Sequence, residues 1–338
     1  MDKKLNMALV GASGVVGKKI LQLLEKKGIQ VDKLFPLGSS TVSQTVHFQN
    51  QDYVIGSLDD FDPTVANITI FSAGGSVAKQ YARKFVEACN YVIDLSSEFR
   101  YEDDVPLIIP EINGAIVENL DEPTLIANPN CSTIQMVVAL KPLEDLASIN
   151  RINVSTYQST SGAGKAAMEE LFNQTKGIFS NQEVQPESFT KQISFNVIPQ
   201  IGPFLENGNT EEEQKMINET KKIMRPDILI NATCVRVPTF IGHAESINLE
   251  FDSPISEEEA REVLEQASGC IVYDEREDGG YSTPVESAGH DATYISRIRA
   301  DETVEYGLNL WVVSDNLRKG AALNAIQIAE AINEDYLY

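Results

Sequence analysis

The sequence predicts a two-domain α/β protein. A doubly wound domain on a parallel sheet comes first, then an α+β domain whose sheet is largely antiparallel. Three observations carry this expectation. The 338 residues suffice for two cores at about 150 residues per domain. Short β-like runs at 5–10, 31–37, 67–73 and 91–95 alternate with helical spacing, as at Ile20, Leu21, Leu23, Leu24 and over 76–88. From about residue 150 the extended runs lengthen (152–158, 228–237, 245–251, 270–273, 292–299, 304–313), with helical patterns near 166–176, 211–224 and 256–267 between them.

Taken in order, Lys3 and Lys4 before Met7-Ala8-Leu9-Val10 imitate a signal peptide. The apolar run is short and passes into Lys18, Lys19 and an amphipathic helix, so it reads as a buried strand. No segment holds 18 consecutive apolar residues, and no membrane span is expected. The chain ends in an Ala-rich amphipathic stretch, Leu317 to Ile332, which reads as a helix. We divide the sequence at 1–127 and 128–315, with a helix over 316–338 packing back on the first domain. There is no internal repeat and no low-complexity linker.

Composition excludes several classes. At 42% hydrophobic and 23% charged residues, with 21 Gly and 14 Pro, the chain is of ordinary globular type. Its 27 basic and 50 acidic residues give a net charge of −23, which repels phosphate backbones and anionic membranes. No nucleic-acid or membrane partner is expected, and an anionic ligand needs cations placed locally. The four cysteines, Cys89, Cys131, Cys234 and Cys270, are far apart with no C-x-x-C, so the expected compartment is reducing and cytoplasmic, and no metal is called for.

Gly11-Ala12-Ser13-Gly14-Val15-Val16-Gly17 joins the first strand to the first helix. Glycines at 11, 14 and 17 allow backbone N–H groups and the positive helix end to meet a pyrophosphate, the mark of a Rossmann-like dinucleotide-binding domain. A tight turn that needs glycine for packing alone is the other reading. Gly11, Ser13, Gly14, Val15 and Val16 are candidate cofactor contacts, with Gly75 before the 76–88 helix. After the second strand the chain reads Gly38-Ser39-Ser40-Thr41, where an NAD site usually carries a carboxylate. Without that carboxylate a 2′-phosphate is tolerated, and without an Arg it meets only the hydroxyls of Ser39, Ser40 and Thr41 and backbone amides.

Asn128-Pro129-Asn130-Cys131-Ser132-Thr133 precedes the helical pattern Ile134, Val137, Val138, Leu140, which puts Cys131 at or near a first helical turn. A thiolate there is favoured by the helix dipole and by unsatisfied N–H groups; a buried cysteine beside an Asn cap is the alternative. Cys89, Cys234 and Cys270 lie in apolar stretches and read as small core residues. Acyl chemistry on a thiol also needs a general base, and the chain has three histidines. His47 lies in a short strand-like run and His290 in a Gly/Ser-rich loop. His243 follows Thr239-Phe240-Ile241-Gly242 directly before a strand, where a side chain can face a cleft or remain an ordinary loop histidine.

Arg100 closes the segment Asp94-Leu95-Ser96-Ser97-Glu98-Phe99-Arg100 after a predicted strand. Arg236 stands inside the β-like Cys234-Val235-Arg236-Val237. Desolvating its guanidinium demands an anion, either a ligand carboxylate or a buried ion-pair partner. Glu212 and Lys215, three apart on a predicted helix, read by default as a solvated face, with a shared site pair as the alternative.

Together these residues resemble the aspartate-semialdehyde dehydrogenase family over nearly the whole chain. The likeness rests on G-A-S-G-V-V-G at 11–17, S-S-E-F-R at 96–100, N-P-N-C-S-T at 128–133, Q-S-T-S-G-A-G at 158–164, E-E-Q-K at 212–215, R-V-P at 236–238 with G-H at 242–243, and D-N-L-R-K-G-A-A at 315–322. The resemblance implies an NADP-dependent enzyme that reductively dephosphorylates L-aspartyl 4-phosphate to aspartate semialdehyde, on the way to lysine, threonine and methionine. By that likeness 128–315 is the substrate, catalytic and dimerisation domain. Cys131 is the nucleophile, His243 the acid/base group, and Gln158 orients the acyl intermediate. Arg236 binds the α-carboxylate, Arg100 and Lys215 hold phosphate, Glu212 contacts the amine, and Asn130 lies among the substrate contacts. Ser13 to Val16, Ser161-Gly162 and Asn316 touch the cofactor.

The chain departs from the family at Thr41-Val42-Ser43-Gln44-Thr45, where a run like R-S-A-G-K is common. Both cations are missing, so use of NAD beside NADP is expected. The long β-like runs of the second domain carry no evident edge protection, which predicts a homodimer or dimer of dimers through residues 130–315 or so. Two other readings remain. One is an N-acetyl-glutamyl-phosphate reductase, which usually surrounds its cysteine with Gly-Cys-Tyr; the other is a catalytically silent nucleotide-binding paralogue.

Overall fold

Strands buried on both faces need near-continuous apolar side chains, and the first sheet is made of such strands. In the computed structural model, which describes residues 5–39 and 43–332, these are β1 (Asn6–Val10) and β2 (Lys33–Gly38). A hairpin of β3 (Thr45–Phe48) and β4 (Gln51–Val54) follows, then β5 (Gly56–Ser57), β6 (Ile68–Phe71), β7 (Tyr91–Asp94) and β8 (Leu125–Ala127). The sheet runs β5-β2-β1-β6-β7-β8 with every pairing parallel. From β1 the order therefore departs in both directions, and the crevice outside its C-terminal end is where such sheets bind ligands. The hairpin, whose first strand is the strand-like run around His47, turns on Gln49 and Asn50, both left-handed at φ 49° and 59°.

Helix Val15–Lys27 buries Ile20, Leu21, Leu23 and Leu24 and stops at Gly28, whose φ of 71° suits glycine. Helix Gly75–Glu87 follows β6. Cys89, just beyond it, is exposed in a left-handed conformation (φ 62°), which corrects the expectation of a small core residue. The chain's last described helix, Leu323–Ile332, belongs to the same compact unit, Met1–Pro129 with Ala321–Tyr338. It packs on Val15–Lys27 and on the short helices Pro110–Asn113 and Ala115–Glu118. The single helix expected from Leu317 is divided: Arg318–Ala322 is a π-helical turn, and the α-helix starts only at Leu323. Residues 333–338 of the expected 316–338 helix lie outside the described residues.

The second unit, Asn130–Gly320, holds β9 (Ile149–Gln158), β10 (Leu229–Arg236), β11 (His243–Phe251), β12 (Cys270–Val272), β13 (Thr293–Ala300) and β14 (Gly307–Ser314). Their order is β10-β9-β11-β14-β13-β12. The three inner pairings are antiparallel, whereas β9 with β10 and β12 with β13 are parallel, so the sheet is mixed. Parallel neighbours need a long crossover, and the stretch between β9 and β10 supplies one with helices Lys165–Phe179 and Glu211–Ile223.

Helices Cys131–Leu146, Glu211–Ile223 and Glu257–Gln266 pack on this sheet. Register lays the buried side chains in cross-strand rows. One row is Arg236, Gln158, His243 and Ser314: Arg236 pairs with Gln158, His243 with Ser314, and Gln158 lies one residue past the Tyr157–Ala244 pair. The next row is Cys234, Thr156, Glu245, Val312 and Ile295. The third, Ala232, Val154, Ile247 and Leu310, is wholly apolar. Among the described residues no helix is long and apolar enough to cross a membrane.

Candidate active site

Cys131 is the first residue of its helix, and its position is fixed through the residue before it. Asn130 caps the helix, its Oδ1 accepting from the amides of Ser132 (2.9 Å) and Thr133 (3.3 Å). Its Nδ2 donates to Glu212 Oε1 (2.9 Å), and its backbone N–H donates to Glu219 Oε2 (2.6 Å). Helix Glu211–Ile223 thus grips both ends of Asn130 with two carboxylates. No acidic residue lies in the first turn of the cysteine helix, so its positive end is left for the thiol. Gly320, in the π-helical turn, backs the site: a Cβ there would stand 2.8 Å from the Cys131 Cβ.

Around this point stands the polar row of the second sheet. Arg236 is buried, its Nη1 donates to the Ser159 carbonyl (2.6 Å), and it lies within electrostatic reach of Cys131 and Glu212. Among the described residues it forms no salt bridge within 4.0 Å, and Glu212 is the carboxylate in its electrostatic reach. His243 is fully buried rather than a solvated loop residue. The Ser159 N–H donates to its Nδ1 (3.0 Å), so the neutral ring carries its proton on Nε2, which has no protein partner. Burial, then the charge of Arg236, brings its pKa down to about 3. A Cβ on Gly162 would lie 3.1 Å from Arg236 Nη1 and 3.2 Å from His243 Nε2, so only glycine leaves that space open.

Glu212 is not on a solvated face, contrary to the default reading. It is buried and accepts from Asn130 and from Gln158 Nε2 (3.0 Å), with Lys215 Nζ at 3.4 Å from Oε2. Burial opposes its charge, but Lys215, the Gln158 and Asn130 amides and Arg236 outweigh it and leave the pKa lowered. Asn316 ties the loops together. Its Oδ1 accepts from Gly242 N (2.9 Å) and from the hydroxyls of Ser159 (3.2 Å) and Ser161 (3.1 Å), while Nδ2 donates back to Ser161. Cys234 is inert by burial, which pushes its thiol far up.

In the N-terminal unit the glycine turn fits a nucleotide pyrophosphate. Gly11 has φ 86°, and a Cβ on Gly17 would meet the Gly11 carbonyl at 2.3 Å. Gly14 caps helix Val15–Lys27 without a side chain, no acid occupies the first turn, and Gly74 does the same for the helix that Gly75 begins after the neighbouring β6. Ser13, Val15 and Val16 are half-buried, and Ser39 is exposed just past β2. Ser40 and Thr41 lie outside the described residues. Arg100 is buried in the same unit, its Nε donating to Asn128 O (2.9 Å) and its Nη2 to Leu95 O (3.0 Å). His47, paired with Asp52, and His290 are both exposed.

Sequence reasoning missed Ser159, Glu219 and Gly320. Ser159 stood unremarked inside a quoted motif. Glu219, seven residues past Glu212, shares its helix face, and that spacing was the available signal.

A parallel-sheet nucleotide domain joined to a helix-terminal thiol, with a buried histidine and arginine, defines a thiol-dependent dehydrogenase of semialdehyde type. Comparison agrees. A family model described as the NAD binding domain of semialdehyde dehydrogenase matches residues 6–120, and the corresponding dimerisation domain matches 140–319. An aspartate-semialdehyde dehydrogenase of Shewanella violacea is 48% identical over 99% of this chain and 100% of its own, and one from Legionella pneumophila is 46% identical over 100% and 98%. The crystal structure of aspartate semialdehyde dehydrogenase II from Vibrio cholerae, solved also as a complex with ASA, superposes with a TM-score of 0.95 at 44% identity, covering 99% of this chain. The chain belongs to the aspartate-semialdehyde dehydrogenase family, as an oxidoreductase with a nicotinamide-cofactor domain.

Proposed function

We propose that this chain uses NADPH to convert L-aspartyl 4-phosphate into L-aspartate 4-semialdehyde and phosphate, in the cytoplasm, as a step of lysine, threonine, methionine and diaminopimelate biosynthesis. The observation that carries the reading is Cys131 at a helix start, gripped through Asn130, with Arg236 in electrostatic reach and the unpartnered His243 Nε2 in the same polar row.

The helix end and Arg236 favour the Cys131 thiolate. Its sulfur attacks the acyl carbon, a C–S bond forms, and the C–O bond to phosphate breaks with the electron pair leaving on phosphate. Gln158 orients the resulting thioester, Arg236 binds the α-carboxylate in its planar fork, and Glu212 takes the α-ammonium. Arg100 and Lys215 are assigned to phosphate on the family resemblance alone. The nicotinamide, when bound, supplies a hydride. The neutral His243 ring donates its Nε2–H as a hydrogen bond to the oxyanion of the Cys131-bound thiohemiacetal, and that oxygen's electron pair re-forms the C=O as the C–S bond breaks, which restores thiolate and releases the aldehyde. Gly11, Ser13 to Val16, Ser39 to Thr41, Gly75, Ser161, Gly162 and Asn316 are the proposed cofactor contacts. NADP is preferred and NAD is used, because no carboxylate and no Arg or Lys stands at 38–41.

Phosphate-dependent reduction of NADP by aspartate semialdehyde tests the reading. Turnover with the N-acetylglutamate analogue instead would reassign the substrate, and none with either would point to a silent paralogue. We also propose a homodimer or dimer of dimers through 130–315. The dimerisation-domain match supports this, as does the exposure of Tyr157, Phe179, Phe195 and Val285. Sedimentation equilibrium is expected to give at least twice the chain mass of 37.2 kDa, and a monomer at micromolar concentration would refute it.

A further inference from the structure

The row beneath the catalytic one holds a carboxyl group that the chemistry above leaves unused. Glu245 stands on β11 two residues after His243, so the two share a face of the sheet, and both are fully buried. Its cross-strand partners are Thr156 and Val312. Gln135, also fully buried, lies four residues after Cys131 on the helix that packs over this face, one turn deeper than the thiol. Neither oxygen of Glu245 and neither amide atom of Gln135 has a hydrogen-bond partner of good geometry, and Gln135 is the neighbouring side chain whose amide opposes the effect of burial on the Glu245 carboxyl. Burial raises the pKa of that carboxyl well above the usual range and so favours its protonated form, which offers a donor and an acceptor to the facing amide.

We propose that Glu245 and Gln135 form a positioning pair which ties the strand carrying His243 to the helix carrying Cys131 and so sets the separation of the two catalytic side chains. The inference rests on the reading that Cys131 and His243 act on the same acyl group. An apolar pair at the two positions would pack at least as stably, because it removes buried polar groups together, but it would lack direction and allow helix and strand to slide. Stability and activity are therefore expected to part company. A merely structural role would move them together.

The test compares Glu245→Gln with the double variant Glu245→Leu, Gln135→Leu. Glu245→Gln is expected to keep kcat within about threefold, since an amide can stand in for a protonated carboxyl. The double variant is expected to melt at or above the wild-type Tm, yet to lose about 10- to 100-fold in kcat with KM within about threefold, the scale of a small misplacement of reacting groups. Iodoacetamide alkylation of Cys131 against pH should match wild type in both, because the helix end and Arg236 are untouched. That readout needs no substrate. Rates are compared on whichever semialdehyde the wild type turns over, so failure with aspartate semialdehyde counts against the substrate assignment and not against the pair. Wild-type kcat in the double variant would overturn the proposal, as would a Glu245→Gln variant no better than the double one. Should the double variant not fold, Gln135→Met takes its place, and an unchanged kcat there overturns it equally.

Discussion

The glycine turn and the thiol row are built on opposite plans. At Gly11–Gly17 function comes from removing side chains: two uncapped helix starts follow neighbouring strands, and a Cβ on Gly17 would strike the Gly11 carbonyl at 2.3 Å. Around Cys131 function comes from side chains, each held by a distant segment. Glu219 reaches Asn130 across 89 residues, and the Ser159 amide reaches His243 across 84. The first plan, with its proposed contacts to a dinucleotide pyrophosphate, shows itself in a local spacing. The second commits the protein to one chemistry, and it exists only once the chain has folded.

The contrast can be broken most decisively at the thiol. Cys131→Ser is expected to keep the fold and the affinity for cofactor while losing nearly all turnover, a drop on the order of 10⁴-fold or more, since an alcohol is not ionised by this environment. Iodoacetamide should label Cys131 first. Exposed Cys89 is the informative competitor, and preferential labelling there with full activity would remove Cys131 from the mechanism.

Arg236→Lys keeps the charge and loses the planar fork, so kcat/KM should fall by roughly 10- to 1000-fold, about 1.4 to 4 kcal/mol. Near-wild-type kinetics would make the guanidinium a point charge. His243 bears on stability as well as rate. Its folded pKa is lowered from 6.5 to about 3, so it contributes stability that is complete above pH 6.5 and is lost as pH falls toward 3. His243→Asn should flatten that part of the acid limb in urea unfolding between pH 6.5 and 4, and an unchanged slope would mean that the ring is not buried neutral.

How much of this was legible follows the same division. The glycine turn, the helix start at Cys131 and most strands of both sheets appear as period and spacing, which are local properties. The parallel pairings at both edges of the second sheet were not visible, because a pairing partner is not a property of a run. Glu212 read as solvated for the same cause: its neighbours Asn130 and Gln158 lie 82 and 54 residues away. Cys89 misled because apolar residues, Phe85, Val86 and Ala88, stand close before it, whereas the chain turns left-handed there as it leaves the helix and leaves the side chain exposed.

The smallest expected effect sharpens the other side of the comparison. A nucleotide end made of backbone and hydroxyls should prefer NADP over NAD by less than about 100-fold in kcat/KM, since neutral hydrogen bonds give about 0.5–1.5 kcal/mol each against about 1.5–3 for charge-assisted ones. Thr41→Arg should raise that ratio and make it salt-sensitive. A wild-type preference above about a thousandfold, unmoved by the substitution, would reveal a cation elsewhere.

Rapid quenching of the protein with aspartate semialdehyde and NADP in the absence of phosphate, followed by peptide mass spectrometry, addresses the thiol row most directly. The expected result is an aspartyl acyl group on the peptide that carries Cys131, discharged when phosphate is added. An unmodified Cys131 under conditions that form NADPH, or an acyl group on any other residue, would contradict it.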